Sequence, residues 1–103
     1  MKHMFASTVA LWLGVGAALA ESPEQRAMRC AAQGEVLREA VVLRLRFVSE
    51  RKAKQNITRA TAPEMQGAVP LLVGYAYSLT RKELRQGDLA ASFEAQCRAL
   101  DVN

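Results

Sequence analysis

Residues 22–48 read SPEQRAMRCAAQGEVLREAVVLRLRFV, and the architecture follows from this run. Ser22-Pro23-Glu24-Gln25 opens a helix. Serine serves as N-cap, proline occupies the first helical position where its missing N–H costs nothing, and glutamine stands three residues after the cap to reach back to it. Ala27, Cys30, Ala31, Gly34, Leu37, Val41, Leu45 and Val48 then recur at three- and four-residue steps, which places one apolar stripe on a helix. Arg29, Glu35, Glu39 and Arg46 fall on the opposite side. Gly34 lies on the stripe itself, so the glycine invites close approach of another helix at about 1 kcal/mol in propensity.

Downstream the helical pattern continues. Ser49 is positioned to cap a second, short helix beginning at Glu50, though the polar stretch 50–56 reads equally as a solvated helix or frayed chain, and Asn56 to Ala60 reads as a linker. Asn56-Ile57-Thr58 matches a glycosylation sequon and is read here as loop polarity. Thr61-Ala62-Pro63-Glu64 has capping-box spacing. The helix it opens carries Met65, Ala68, Val69, Leu72, Val73, Ala76 and Leu79 at helical spacing, with a kink predicted at Pro70. Its stretch 69–79 is expected to be the central buried element. Tyr75 and Tyr77, two apart, point to different faces, one toward the core and one toward the surface. Thr80-Arg81-Lys82-Glu83 repeats the capping-box spacing, Gly87 marks a break, and Asp88 can cap a last helix with the stripe Leu89, Phe93, Cys97 and Leu100. No β-strand pattern competes. The expected fold is all-α, a small three- to four-helix bundle.

Working toward the N-terminus, residues 1–20 read MKHMFASTVALWLGVGAALA. Lys2 gives a positive start, an apolar run follows, and Ala18-Leu19-Ala20 sets small residues at −3 and −1 of a cut before Glu21. That order is what an export machine and its peptidase recognise. The run is shorter than the about 20 apolar residues of a spanning helix and lacks a positive flank behind it. The sequence therefore predicts a signal peptide over 1–20, cleavage between Ala20 and Glu21, one domain over 21–103 and no transmembrane segment in it. The destination is the periplasm or the medium.

Cleavage takes away His3 and Trp12, the one histidine and the one tryptophan of the chain. It removes one of the 14 basic side chains and none of the 10 acidic ones. Without imidazole, Ser22, Ser49, Ser78 and Ser92 have no partner for nucleophilic chemistry, and the usual metal sites lose a ligand type. No phosphate-binding glycine loop or nucleophile elbow is present either. The expectation is a protein that is not an enzyme and takes no cofactor or metal.

Two cysteines remain, Cys30 and Cys97, 67 residues apart. An even pair in an exported chain reads as a disulfide, and the isolated positions lack the C-x-x-C spacing of a redox catalyst. Each falls in an apolar stripe, one on the first helix and one on the last, which suits a bridge between them. On the chain-entropy model such a crosslink is worth about 4 kcal/mol, a large share of a small domain's stability.

Arginine is the remaining distinctive feature. Segment 44–59 holds Arg44, Arg46, Arg51, Lys52, Lys54 and Arg59 against the single acid Glu50. These six form a candidate basic patch for an acidic protein or an anionic envelope component such as lipid headgroups; a solvated helical face is the plainer alternative. Nucleic acid is a poor fit, since no aromatics interleave with the charges to stack on bases. Arg44, beside the stripe, is expected to lay its stem on the core and carry its head to water.

Ala18-Leu19-Ala20, Cys30, the Arg46–Ser49 junction, Leu72–Tyr77 and Phe93–Cys97 together resemble the small exported helical proteins of Gram-negative bacteria that carry one disulfide. That resemblance implies a periplasmic location. The small, helical, single-disulfide acid-stress chaperones of the periplasm share the architecture, though not the arginine-rich charge. The functional expectation is a non-enzymatic interaction domain, with a holdase-type chaperone as the alternative.

Overall fold

The computed structural model describes residues 21–100; the predicted signal peptide, with Ala20 of its cleavage site, lies outside the described residues. Those residues form an all-α bundle of five helices: α1 (Pro23–Leu45), α2 (Glu50–Ala60), α3 (Val69–Ser78), α4 (Arg81–Gln86) and α5 (Leu89–Ala99). A 3-10 segment, Pro63–Ala68, joins α2 to α3, and among the described residues there is no strand. Four of the helices are long enough to pack as bundle members, and α4 is a short connector of 6 residues. No helix among the described residues is long and apolar enough to cross a membrane.

The predicted caps organise the chain. Ser22 accepts from the N–H of Gln25 at 3.1 Å while its own N–H donates to the Gln25 side chain at 2.9 Å, a complete capping box. Thr80 and Glu83 form a second one. Ser49 caps α2 through the N–H of Lys52, and Asp88 caps α5 through that of Ala91.

The α1 helix is the spine, packed against α5 along its first half and against α3 and α2 along its second. Its buried residues are Cys30, Gly34, Val36, Leu37 and Ala40. Val36 and Ala40 lie off the single stripe read from the sequence, and Val41 and Leu45 are only half-buried. A helix with neighbours on two sides buries a wider arc than one stripe. The core is completed by Ala53 and Ile57 of α2, Val69, Leu72, Val73 and Ala76 of α3, and Ala90 of α5. Cys30 and Cys97 are bonded, with Cα atoms 5.7 Å apart, which staples α1 to α5. One turn along, the Glu94 side chain lies across Gly34, where a Cβ would collide with its carboxylate. Glycine leaves room for the Glu94 side chain to lie there.

Four expectations are corrected. Residues 56–60 are not a linker but the last turns of α2, because Ala53 and Ile57, four apart, are buried on one face. Asn56 of the sequon therefore sits on a helix, accepting from Arg59 Nη2 at 2.6 Å. Thr61 caps no following helix. It ends α2, its hydroxyl donating to the Ile57 carbonyl at 2.6 Å, and Gln66 Nε2 donates to the carbonyls of Thr58 and Thr61, so side chains satisfy a helix end that has run out of N–H donors. Pro70 is not in the interior of a long α-helix: the 3-10 segment passes directly into α3 at Val69, which places the proline in the first turn of α3, where no N–H is needed. Leu100, placed on the stripe of the last helix, lies beyond its end and is 61% exposed.

Candidate functional site

The basic run is divided by the fold. Arg44 leaves it altogether: its Nη2 donates to the Leu79 carbonyl at 3.1 Å, and its guanidinium lies 5.4 Å from the centroid of the Tyr77 ring. The head is folded inward rather than carried to water. Lys54 pairs with Glu50 at 2.9 Å, one turn back on α2. Arg59 is bound to Asn56 about two turns beyond Lys52. Arg46, Arg51 and Lys52 are exposed and form no ion pair among the described residues. Of the six proposed cations, three are thus engaged by partners and three stand exposed.

Those three flank the corner between α1 and α2. Arg46 is the C-cap of α1, and the next residue, Phe47, has φ 63°, the one non-glycine residue with positive φ among the described residues. The N–H of Phe47 donates to the Arg44 carbonyl at 3.1 Å and that of Val48 to the Leu43 carbonyl at 3.0 Å. This bond pair is a Schellman motif, whose left-handed position usually holds glycine because Cβ clashes with the carbonyl there. Phe47 is also 71% exposed.

A fourth cation arrives from α4. The Arg81 guanidinium lies 4.0 Å from the centroid of the Phe47 ring, and its Nε reaches the Arg44 carbonyl at 3.4 Å. The Tyr77 hydroxyl donates to the Val48 carbonyl at 2.7 Å, and burial pushes its pKa above the ordinary tyrosine value. Three links from the α3–α4 side therefore hold the corner: Tyr77 to Val48, Arg44 to Leu79, and Arg81 to Arg44. Tyr77 is the inward tyrosine of the pair and Tyr75 the outward one, half exposed.

Magnitudes show what the corner gains from its phenylalanine. A left-handed non-glycine residue costs about 1–2 kcal/mol. An exposed cation–π contact returns about 0.5–1 kcal/mol. A ring this exposed recovers little by burial, so folding alone gives no net advantage to phenylalanine over glycine here.

Charge accumulates around it. Residues 44–54 and 79–85 hold eight cations against Glu50 and Glu83. Glu50 is taken by Lys54 and Glu83 by the Thr80 cap, which holds its carboxyl below the ordinary glutamate pKa through the backbone N–H of Thr80. Among the described residues neither carboxylate forms an ion pair with Arg46, Arg51, Lys52 or Arg81.

Two grooves lie elsewhere. One of about 640 Å³ runs between α3 and α5, lined by Leu71, Leu72, Tyr75, Leu89 and Phe93 with Ser78, Ser92 and Gln96 at its polar edges, and no charged residue among the described ones lines it. Leu71 stands 80% exposed on its lip. The other, about 450 Å³ between α1 and α2, has Val36, Leu43, Ile57 and Met65 as floor and Glu35 and Glu39 on its rim. Beside the disulfide, Arg29 binds Glu21 through two bonds at 2.9 and 3.0 Å and comes within 3.8 Å of Cys97 Sγ. That pairing lowers the Glu21 pKa and raises that of Arg29. No cluster of three or more potential metal-ligating side chains exists among the described residues.

Reading the basic run alone misses Phe47 and Arg81. The signal for Phe47 is the Arg46-Phe47-Val48-Ser49 run: one helix must end and the next be capped within it, yet it holds no glycine. For Arg81 there is no local signal, because its place comes from the return of the chain after α3. Comparison with protein-family models, curated proteins and solved structures finds no match to this chain.

Proposed function

We propose that this chain is an exported, non-enzymatic interaction domain of the periplasm that engages an anionic protein or envelope component through the corner formed by Arg46, Phe47, Arg51, Lys52 and Arg81. The observation that carries this reading is Phe47: a large aromatic held in a left-handed conformation, exposed, and next in the fold or the chain to cations that form no ion pair among the described residues. The staple between α1 and α5 supports the oxidising compartment, since disulfides persist there and are rare in the cytosol. The test is retention on an immobilised polyanion such as polyglutamate. Binding is expected to weaken with salt and to be lost in the triple variant Arg46→Gln/Arg51→Gln/Lys52→Gln; retention unchanged by all three substitutions would overturn it. Intact mass measurement of the exported protein, with alkylation before and after reduction, tests cleavage after Ala20 and the disulfide together.

A holdase-type chaperone is the second reading, and one observation favours it. Leu71 and Tyr75 are exposed along a groove that no charged residue among the described ones lines, the kind of surface that holds apolar segments of other chains. On this reading the protein suppresses aggregation of an unfolded client, and Leu71→Ser/Tyr75→Ser weakens that suppression. A protein that binds no hydrophobic dye at neutral or acidic pH would sink it.

A further inference from the structure

The nature of the corner's partner can be taken one step further, on the premise that the corner is the interaction surface. Cations that bind one small anion converge around a cavity. Here they come from three separate elements: Arg46 caps the end of α1, Arg51 and Lys52 stand in the first turn of α2, and Arg81 comes from α4 to lie on the ring of Phe47, which follows Arg46 in the chain and is 71% exposed. The ring stands on a fixed base, because Tyr77, Arg44 and Arg81 tie the corner backbone to the α3–α4 side. An exposed apolar group with arginine and lysine on the elements that meet at it is complementary to a planar layer whose outer shell is anionic and whose next layer is apolar.

We propose that the α1–α2 corner is a docking site for anionic lipid bilayers, with Phe47 entering the boundary between headgroups and acyl chains while Arg46, Arg51, Lys52 and Arg81 face the lipid phosphates. Neither element suffices alone. The cations give attraction that salt screens, and the ring gives the part of the affinity that salt leaves intact. Arginine is suited to this duty because its planar guanidinium pairs with phosphate through two donors at once. Arg81 has both jobs, stacking on the ring and adding a cation beside it.

The chain carries one tryptophan, Trp12, so the double variant Trp12→Phe/Phe47→Trp places a single fluorophore at the corner. The oxidised, full chain is mixed with vesicles of zwitterionic lipid with or without about a third of anionic lipid. The expected result is a blue-shifted emission from the introduced indole, quenched by brominated acyl chains, on anionic vesicles only. In vesicle flotation, Phe47→Gly is expected to bind anionic vesicles about tenfold more weakly than the parent, and the triple glutamine variant about a hundredfold more weakly. Because the apolar run in residues 1–20 is present in every variant, only differences between variants and between the two lipid compositions count. Phe47→Gly suits the left-handed position, and its helical circular dichroism confirms that it folds. Indole emission unchanged by anionic vesicles, or flotation of Phe47→Gly equal to the parent, overturns the lipid assignment. If polyglutamate retention still depends on Arg46, Arg51 and Lys52 in that case, the partner is an acidic protein and the basic-corner reading stands; loss of both readouts removes both.

Discussion

Arg44 donates from Nη2 to the carbonyl of Leu79 across 3.1 Å, and that bond ties the last turn of α1 to the residue that ends α3. The same guanidinium lies over the Tyr77 ring, and its Nε is buried without a partner. A side chain drawn from the middle of a basic run is thereby spent on holding the fold, and the corner beyond it depends on that hold.

Replacing Arg44 with methionine keeps much of the apolar stem and deletes the head. The Leu79 carbonyl loses its donor and the Tyr77 ring its cation, so the expected cost is about 1–3 kcal/mol. Arg44→Lys is expected to recover only part of it, since an ammonium cannot serve a carbonyl and a ring face together. Arg51→Gln, on the exposed face of α2, is expected to stay within about 0.5 kcal/mol of the parent. Urea unfolding of the three variants measures this, and equal midpoints for Arg44→Met and Arg51→Gln would contradict the structural role of Arg44.

The staple predicts a larger effect. Cys30 is fully buried, so alanine is the safer replacement, and Cys30→Ala/Cys97→Ala opens a loop of 67 residues. The chain-entropy model gives a loss of about 4 kcal/mol. Reduction of the unaltered protein is expected to lower the unfolding midpoint by a similar amount, and a midpoint indifferent to reductant would show that α1 and α5 hold together without the bond.

Much of this was legible in the sequence. The caps at Ser22, Ser49, Thr80 and Asp88 are local chemistry, and each forms as its spacing predicts. The pairing of Cys30 with Cys97 was legible because both lie on apolar stripes. Thr61 misled because its capping-box spacing coincides with the end of α2, and whether Ile57 is buried depends on the α1 and α3 surfaces that receive it. Of the candidate site, the sequence shows the cations but not their division. Arg44 and Arg46 are neighbours in the run, yet one turns in and the other out according to where α3 ends, a tertiary fact that no short window contains.

Two carboxylates, Glu21 half-buried and Glu83 exposed, give the stability a direction with pH. Glu21 and Glu83 have pKa values below the ordinary one, Glu21 through its bond to Arg29 and Glu83 through the Thr80 N–H. A carboxyl depressed in the folded state adds stability that is complete above its unfolded pKa of about 4.3 and disappears as pH falls through the lower folded value. Urea midpoints are therefore expected to be flat near neutrality and to decline below about pH 5. Glu83→Gln, which keeps an acceptor for the cap, is expected to flatten part of that decline. A carboxyl titration by nuclear magnetic resonance that placed Glu21 above the ordinary value would refute the assignment.

The conformation of Phe47 can be tested without reference to any partner. Glycine and alanine at this position both remove the ring and its contact with Arg81, so the difference between them isolates the backbone. In a left-handed residue alanine carries the Cβ clash and glycine does not. Glycine's greater freedom in the unfolded chain works against it by about 0.5–1 kcal/mol, and the clash exceeds that. Phe47→Gly is therefore expected to be more stable than Phe47→Ala by about 1 kcal/mol, and to lie near the parent because relief of the clash offsets the lost cation–π contact. Phe47→Val, branched at Cβ, is expected to be the least stable of the series. If alanine proved equal to glycine, the corner would not hold its left-handed turn in solution; if glycine proved clearly worse than phenylalanine, the ring would be serving the fold, and its exposure would no longer point to a partner.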